Sequence, residues 1–129
     1  MPQLADVMRP DFIEVAPEDT LGEVAERMTA KNVGAVVVSD FGRLIGILTE
    51  RDMLKAMAAR VHTSEARVRQ WMTEEPITAP ADTEVEEAAQ IMLDYGFRHL
   101  PVLDENGRVT GVVSLRRVVA ATKPAAERA

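Results

Sequence analysis

The sequence has no cysteine. That excludes disulfides, cysteine–zinc sites and thiol catalysis, and it agrees with a reducing cytoplasm. Aromatics make up 4% of the chain, so a core must be built from Val, Leu, Ile, Ala and Met. Histidine occurs only as His62 and His99, which leaves a metal site short of ligands. There is no His-x-x-x-His, no Gly-x-Ser-x-Gly and no glycine-rich phosphate loop. No spacing pairs a nucleophile with a base, so no catalytic residue and no enzyme is expected. No apolar run approaches the roughly 20 residues of a membrane span. The start, "MPQLADVMRPDF", carries acids and prolines early and does not read as a signal peptide. The net charge of −6 argues against general nucleic-acid binding, which needs a basic face. A few placed basic groups can still hold a small anion.

What is present is a repeat. In 129 residues, 47% apolar and 28% charged, a globular domain with a real core is expected. "VMRPDFIEVAPEDTLGEVAERM" runs parallel to "WMTEEPITAPADTEVEEAAQIM". Met8 matches Met72, Ile13 matches Ile77 and Met28 matches Met92, all 64 apart. One residue is gained in the second hairpin turn, so Gly46 matches Gly111, 65 apart. Two copies suggest a pseudo-two-fold pair in which each half covers the other's apolar face.

Each copy predicts the same elements. A short strand, Ile13–Val15 or Ile77–Ala79, is followed by a turn with Pro17 or Pro80. Thr20 with Glu23, and Thr83 with Glu86, have capping-box spacing. Leu21, Val24, Ala25 and Met28 fall on one helical stripe, as do Val85, Ala88, Ala89 and Met92. Two apolar runs follow in each copy, "AVVVSD" and "RLIGILT", then "HLPVLD" and "RVTGVVS". They are joined by Asp40-Phe41-Gly42 and Asp104-Glu105-Asn106-Gly107, both hairpin signals. These strands are too apolar to face water, so helices should cover them. A second helix starts at Glu50 or Leu115. The linker 61–70 reads as helical from Ser64 and leads into Trp71. The fold class is thus α/β (α+β): two β-α-β-β-α repeats.

This paired pattern, from "VMRPDF" to "LTERD" and from "WMTEEP" to "SLRR", resembles a tandem cystathionine-β-synthase (CBS) domain pair, the Bateman module. The resemblance covers almost the whole chain and implies the stand-alone form. It frames residues 1–60 as the first CBS motif, 61–70 as a helical linker, 71–123 as the second motif and 124–129 as a tail.

The sites follow from "GILTERD" and "GVVSLRR", which occupy equivalent positions. Thr49 can cap a helix with Asp52 in its first turn, and that alone would stabilise the helix by roughly 1 kcal/mol. The same carboxylate can accept from both hydroxyls of a ribose, and a hydroxyl with helix N–H groups can hold a phosphate. The resemblance implies that Thr49 and Asp52 do this for an adenosyl ligand such as AMP, ADP, ATP or S-adenosylmethionine. In the second copy Ser114 keeps the hydroxyl, but Arg117 is a donor only. That cleft, with Ile13, Ser114, Arg116 and Arg117, is expected to be degenerate. Arg117 either points to solvent, meets phosphates with Arg116, or fills the cleft.

In "GFRHLPV", Arg98 and His99 are either ordinary edge residues or, as the resemblance implies, phosphate contacts. Gly34 and Ala35 are their first-half counterparts. The resemblance also implies adenine contacts near Ile13, Ile47 and Ile77, with Thr73, Ile77 and Thr78 closing the cleft of Asp52. Plainly read, the isoleucines are core. Arg9-Pro10 and Thr73–Pro76 look like entry loops, and Glu74 and Glu75 there would repel polyphosphates. Trp71 is expected on the core where the linker joins the second half, or at a dimer interface. Met53, Leu54, Met57, Val118 and Val119 suit either an intrachain core or a homodimer.

The leading expectation is a cytoplasmic regulatory module that senses an adenosyl compound between its two motifs, forms a homodimer and signals to a regulated protein. A ligand-free dimeric interaction module with self-filled clefts is the alternative. A nucleic-acid binder using Arg67 and Arg69 is disfavoured by the net acidity.

Overall fold

The computed structural model describes residues 2–122, and the expected tail at 124–129 lies outside them. The elements in order are α1 (Leu4–Val7), β1 (Glu14–Val15), α2 (Leu21–Lys31), β2 (Ala35–Asp40), β3 (Arg43–Thr49) and α3 (Glu50–Ala58). Then come α4 (Val68–Trp71), β4 (Thr73–Glu74), β5 (Ala79–Pro80), α5 (Val85–Tyr95), β6 (His99–Leu103), β7 (Val109–Ser114) and α6 (Leu115–Thr122). This is the mixed α and β class expected from the repeat. No described helix is long and apolar enough to cross a membrane.

Helix spacing and burial agree. Leu21, Val24 and Met28 of α2 are buried, and so are Val85, Ala88, Ala89 and Met92 of α5. Thr20 caps α2 with its hydroxyl, which accepts from the Glu23 N–H at 3.2 Å, and the Glu23 carboxylate accepts from the Thr20 N–H at 3.3 Å. The expected box at Thr83 and Glu86 does not form. The residue before α5 is Glu84, with no side-chain cap. Thr83 sits one position earlier, in a turn where its N–H donates to the Pro80 carbonyl at 3.1 Å. The repeat register itself sets Glu84 opposite Thr20, so the second copy lost its capping hydroxyl.

The chain divides into two compact units. One is Phe12–Pro76, with a sheet ordered β1-β2-β3-β4. β1 runs parallel to β2, and the other neighbours are antiparallel. Its core holds Ile13, Leu21, Val36, Leu48 and Val68. The second unit joins the N-terminal segment through Asp11 to the chain from Ile77 onward, with a sheet ordered β5-β6-β7. Its core holds Leu4, Met92, Leu100, Val102 and Val113.

Each unit therefore takes its strap from outside its own repeat. In the second unit the Leu4 N–H donates to Thr83 and the Ala5 N–H to Ala81, at 2.9 and 3.0 Å. In the first unit the Val68 N–H donates to Asp19 and the Arg69 N–H to Pro17, both at 2.9 Å. These are the same bonds, one repeat apart. Leu4 and Val68 are both fully buried beneath them.

Three local expectations change. The linker is not helical from Ser64: residues 63–65 form a turn, and the helix is Val68–Trp71. Trp71 packs half-buried on the core of the Phe12–Pro76 unit, not on that of the second half. Thr73 and Glu74 are not a free entry loop but the edge strand β4, with Thr73 opposite Ile47 and Glu74 opposite Gly46.

Candidate functional site

The register of β2 and β3 builds the first helix start. Ala35 lies opposite Thr49 where β3 ends, and the Glu50 N–H donates to the Gly34 carbonyl at 3.0 Å. A Cβ on Gly34 would come within 2.6 Å of Glu50 Oε1, so glycine leaves room for that side chain. Thr49 is the N-cap of α3, with extended backbone. Its hydroxyl accepts from the Asp52 N–H at 3.4 Å. Asp52 Oδ2 accepts from the Thr49 N–H at 2.9 Å and from the Thr49 hydroxyl at 3.1 Å.

Asp52 is only 7% exposed. One of its oxygens is spent on the cap. The other, Oδ1, accepts nothing from the described residues. A carboxylate held this way has a fixed orientation and lone pairs left for a hydroxyl donor. The capping and binding readings of Asp52 thus use different oxygens. In the same unit, Ile47 is buried opposite Thr73, which is exposed, and Ile13 is in the core.

The second unit repeats the backbone frame with different side chains. His99 lies opposite Ser114, and the Leu115 N–H donates to the Arg98 carbonyl at 2.8 Å. Ser114 Oγ accepts from the Arg117 N–H at 3.3 Å. Nothing returns the bond, because a guanidinium only donates. Instead Arg117 Nη1 donates to the Val7 carbonyl at 3.2 Å, on the N-terminal strap. Arg117 therefore does not simply point to solvent. Arg98 and Arg116 are exposed, Thr78 is half-buried, and Ile77 is 36% exposed rather than core.

The structure thus brings Gly34, Ala35, Ile47, Thr49, Asp52 and Thr73 into one unit, together with Ile13. It brings Ile77, Thr78, Arg98, His99, Ser114, Arg116 and Arg117 into the other. Sequence reasoning missed Val7, whose carbonyl carries no side-chain signal, and Glu50, which was visible only as a helix start. Among the described residues no group of three or more His, Asp or Glu is placed to hold a metal ion.

Two copies of a strand, a helix, a hairpin and a helix, each hairpin ending on a hydroxyl that caps the next helix, define a tandem CBS pair. The CBS domain family model matches residues 4–59 and 68–123, and the chain belongs to that family. An uncharacterized 17.7 kDa protein of Acidianus ambivalens is 43% identical over 79% of this chain, and this chain spans 62% of that relative's length. The CBS domain pair of protein MJ0100, crystallised with 5′-methylthioadenosine and S-adenosyl-L-methionine, superposes with a TM-score of 0.86 at 26% identity. The match covers 94% of this chain and 95% of that one. CBSX2 of Arabidopsis thaliana, crystallised with AMP, superposes with a TM-score of 0.78 at 26% identity over 94% of this chain and 96% of that one.

Proposed function

We propose that the chain is a regulatory module that binds an adenosyl compound at the start of α3. The observation that carries this reading is the divided Asp52 carboxylate: Oδ2 closes the cap and Oδ1 is left to accept from a ribose hydroxyl. Thr49 orients it; Ala35 lies opposite Thr49, the Gly34 carbonyl accepts from the Glu50 N–H, and Ile47 lies opposite Thr73 in the same sheet. Ile77, Thr78, Arg98 and His99 belong to the other unit. Similarity to CBS pairs crystallised with adenosyl compounds supports the ligand class. AMP, ADP, ATP and S-adenosylmethionine are the candidates. The chain works as a non-catalytic cytoplasmic homodimer whose response is read by a regulated protein.

The second helix start lacks the acceptor. Ser114, Arg116 and Arg117 do not make an ordinary ribose site, and Ile13 lies in the core of the other unit, so one adenosyl ligand binds per chain. The Arg117–Val7 bond favours a second reading, in which the module is a ligand-free dimeric interaction unit whose sites are occupied by its own side chains.

A thermal-shift panel of AMP, ADP, ATP, S-adenosylmethionine and NADH separates the two. A ligand at a hundred times its Kd stabilises by about 2.7 kcal/mol, a shift of several degrees. No shift with any member removes the first reading for these ligands. Sedimentation velocity tests the homodimer in both.

A further inference from the structure

Phe41 is 101% exposed, more than any other large apolar side chain described. It stands at the tip of the β2–β3 hairpin, where Asp40 and Arg43 pair and only Phe41 and Gly42 make the turn. Both have positive φ, 52° and 77°. This two-residue turn fits the twist of a hairpin, and its first position takes Asn, Asp or Gly. A bulky side chain in left-handed backbone is an outlier. The phenylalanine is thus disfavoured by its backbone and by its ring in water. The only ring pair among the described residues is Tyr95–Phe97, so no stacking offsets either cost.

The second hairpin is an internal comparison. It is one residue longer: Asp104 and Arg108 close it, Glu105, Asn106 and Gly107 make the tip, and Asp104 Oδ1 accepts from the Asn106 and Arg108 N–H groups at 2.9 Å. There the only left-handed position falls on Gly107, and no bulky side chain is placed in that backbone. The fold therefore gives no reason for Phe41, and local strain without a structural return points to a role outside the chain.

We propose that Phe41 is an anchor that inserts into an apolar pocket on a partner protein. Asp40 and Arg43 flank the ring, both exposed and opposite in sign. They select a pocket one ring wide with a donor on one lip and a carboxylate on the other. An anionic lipid surface matches poorly, because the chain carries a net charge of −6 and Asp40 adjoins the ring. Single aromatic anchors in desolvated pockets are where interface energy concentrates.

The test places the photo-crosslinking residue p-benzoylphenylalanine at position 41, and at position 106 as the control, in the chain's native cells. The partner joined at 41 is then identified, purified and titrated against the wild-type chain, Phe41→Asn and Phe41→Trp. The expected result is an adduct at 41 that is absent at 106, binding weakened at least about tenfold by Phe41→Asn and largely kept by Phe41→Trp. Phe41→Asn should melt no lower than wild type, since it relieves the turn. The proposal is overturned by equal adducts at both tips, or by equal binding of Phe41→Asn. It is also overturned by a lower melting temperature of that variant. Phe41-dependent binding to phosphatidylcholine–phosphatidylglycerol vesicles, or Phe41-dependent self-association in sedimentation, would replace the partner protein by a membrane or a second copy.

Discussion

Arg117 reaches across 110 residues of sequence to donate to the Val7 carbonyl at 3.2 Å. It stands where the other copy has Asp52, and its guanidinium donates where that carboxylate accepts. Arg117→Asp recreates, with Ser114, the spacing of Thr49 and Asp52. The variant loses one exposed bond and gains one cap, so its stability should stay within about 1 kcal/mol of wild type. Its stoichiometry for whichever adenosyl compound binds the wild type should rise from one to two per chain. Isothermal titration calorimetry reads this directly. A folded Arg117→Asp that still binds one ligand would show that the acceptor is not what the second site lacks.

Asp52 should separate stability from binding. Asp52→Ala removes the capping carboxylate and should cost about 1 kcal/mol, a few degrees of melting temperature. It should also abolish most ligand binding. Asp52→Asn keeps one acceptor oxygen, which can stay on the Thr49 N–H. It should recover most of the stability and little of the affinity. If Asp52→Asn binds as tightly as wild type, the carboxylate is a cap and nothing more.

The contrast between these two residues was legible in the sequence because the repeat aligned them. The helices and hairpins were legible too, since buried stripes and turn residues repeat in register. The capping box at Thr83 was misread because spacing alone ignores the register, which sets Glu84 opposite Thr20. The two-residue strand β4 left no signal, because it forms through backbone bonds to Gly46 and Ile47. The assignment of straps to units was illegible for a different reason. Leu4 and Val68 are equivalent residues, so either strap fits either unit as far as pattern can show.

The straps dock against glycines, and this predicts unequal tolerance. A Cβ on Gly46 would lie 2.7 Å from Met72 Sδ and 2.9 Å from the Thr73 carbonyl oxygen. The carbonyl is fixed by β4, so Gly46→Ala should destabilise by roughly 1–3 kcal/mol. A Cβ on Gly111 meets Met8 Sδ at 2.6 Å, but the nearest backbone oxygen, on Arg9, is at 3.1 Å. Methionine side chains re-pack readily. Gly111→Ala should therefore cost less, and Met8→Ala should offset much of it in a double-mutant cycle. Met72→Ala should offset little of Gly46→Ala. Equal rescue in urea melts would place the conflict in the methionines alone.

Glu23 supplies a pH dependence with a definite sign. The Thr20 hydroxyl, and then the Thr20 N–H, hold its carboxyl below the ordinary value of 4.5. Burial opposes this in part, and the nearby Arg67 charge adds a lesser lowering. A carboxyl that is more acidic in the fold than in the unfolded chain stabilises the fold at neutral pH. That contribution is complete above the ordinary carboxylate range and disappears as pH falls through the lowered folded value. Glu23→Gln can still accept the Thr20 bonds but does not titrate. The urea midpoint of wild type should therefore exceed that of Glu23→Gln at pH 7. The gap should narrow below pH 4.5 and close at lower pH. The other carboxylates are common to both proteins and cancel in the difference. A gap that stays constant from neutral to acid pH would mean that the Thr20–Glu23 box acts through geometry, with the charge contributing nothing.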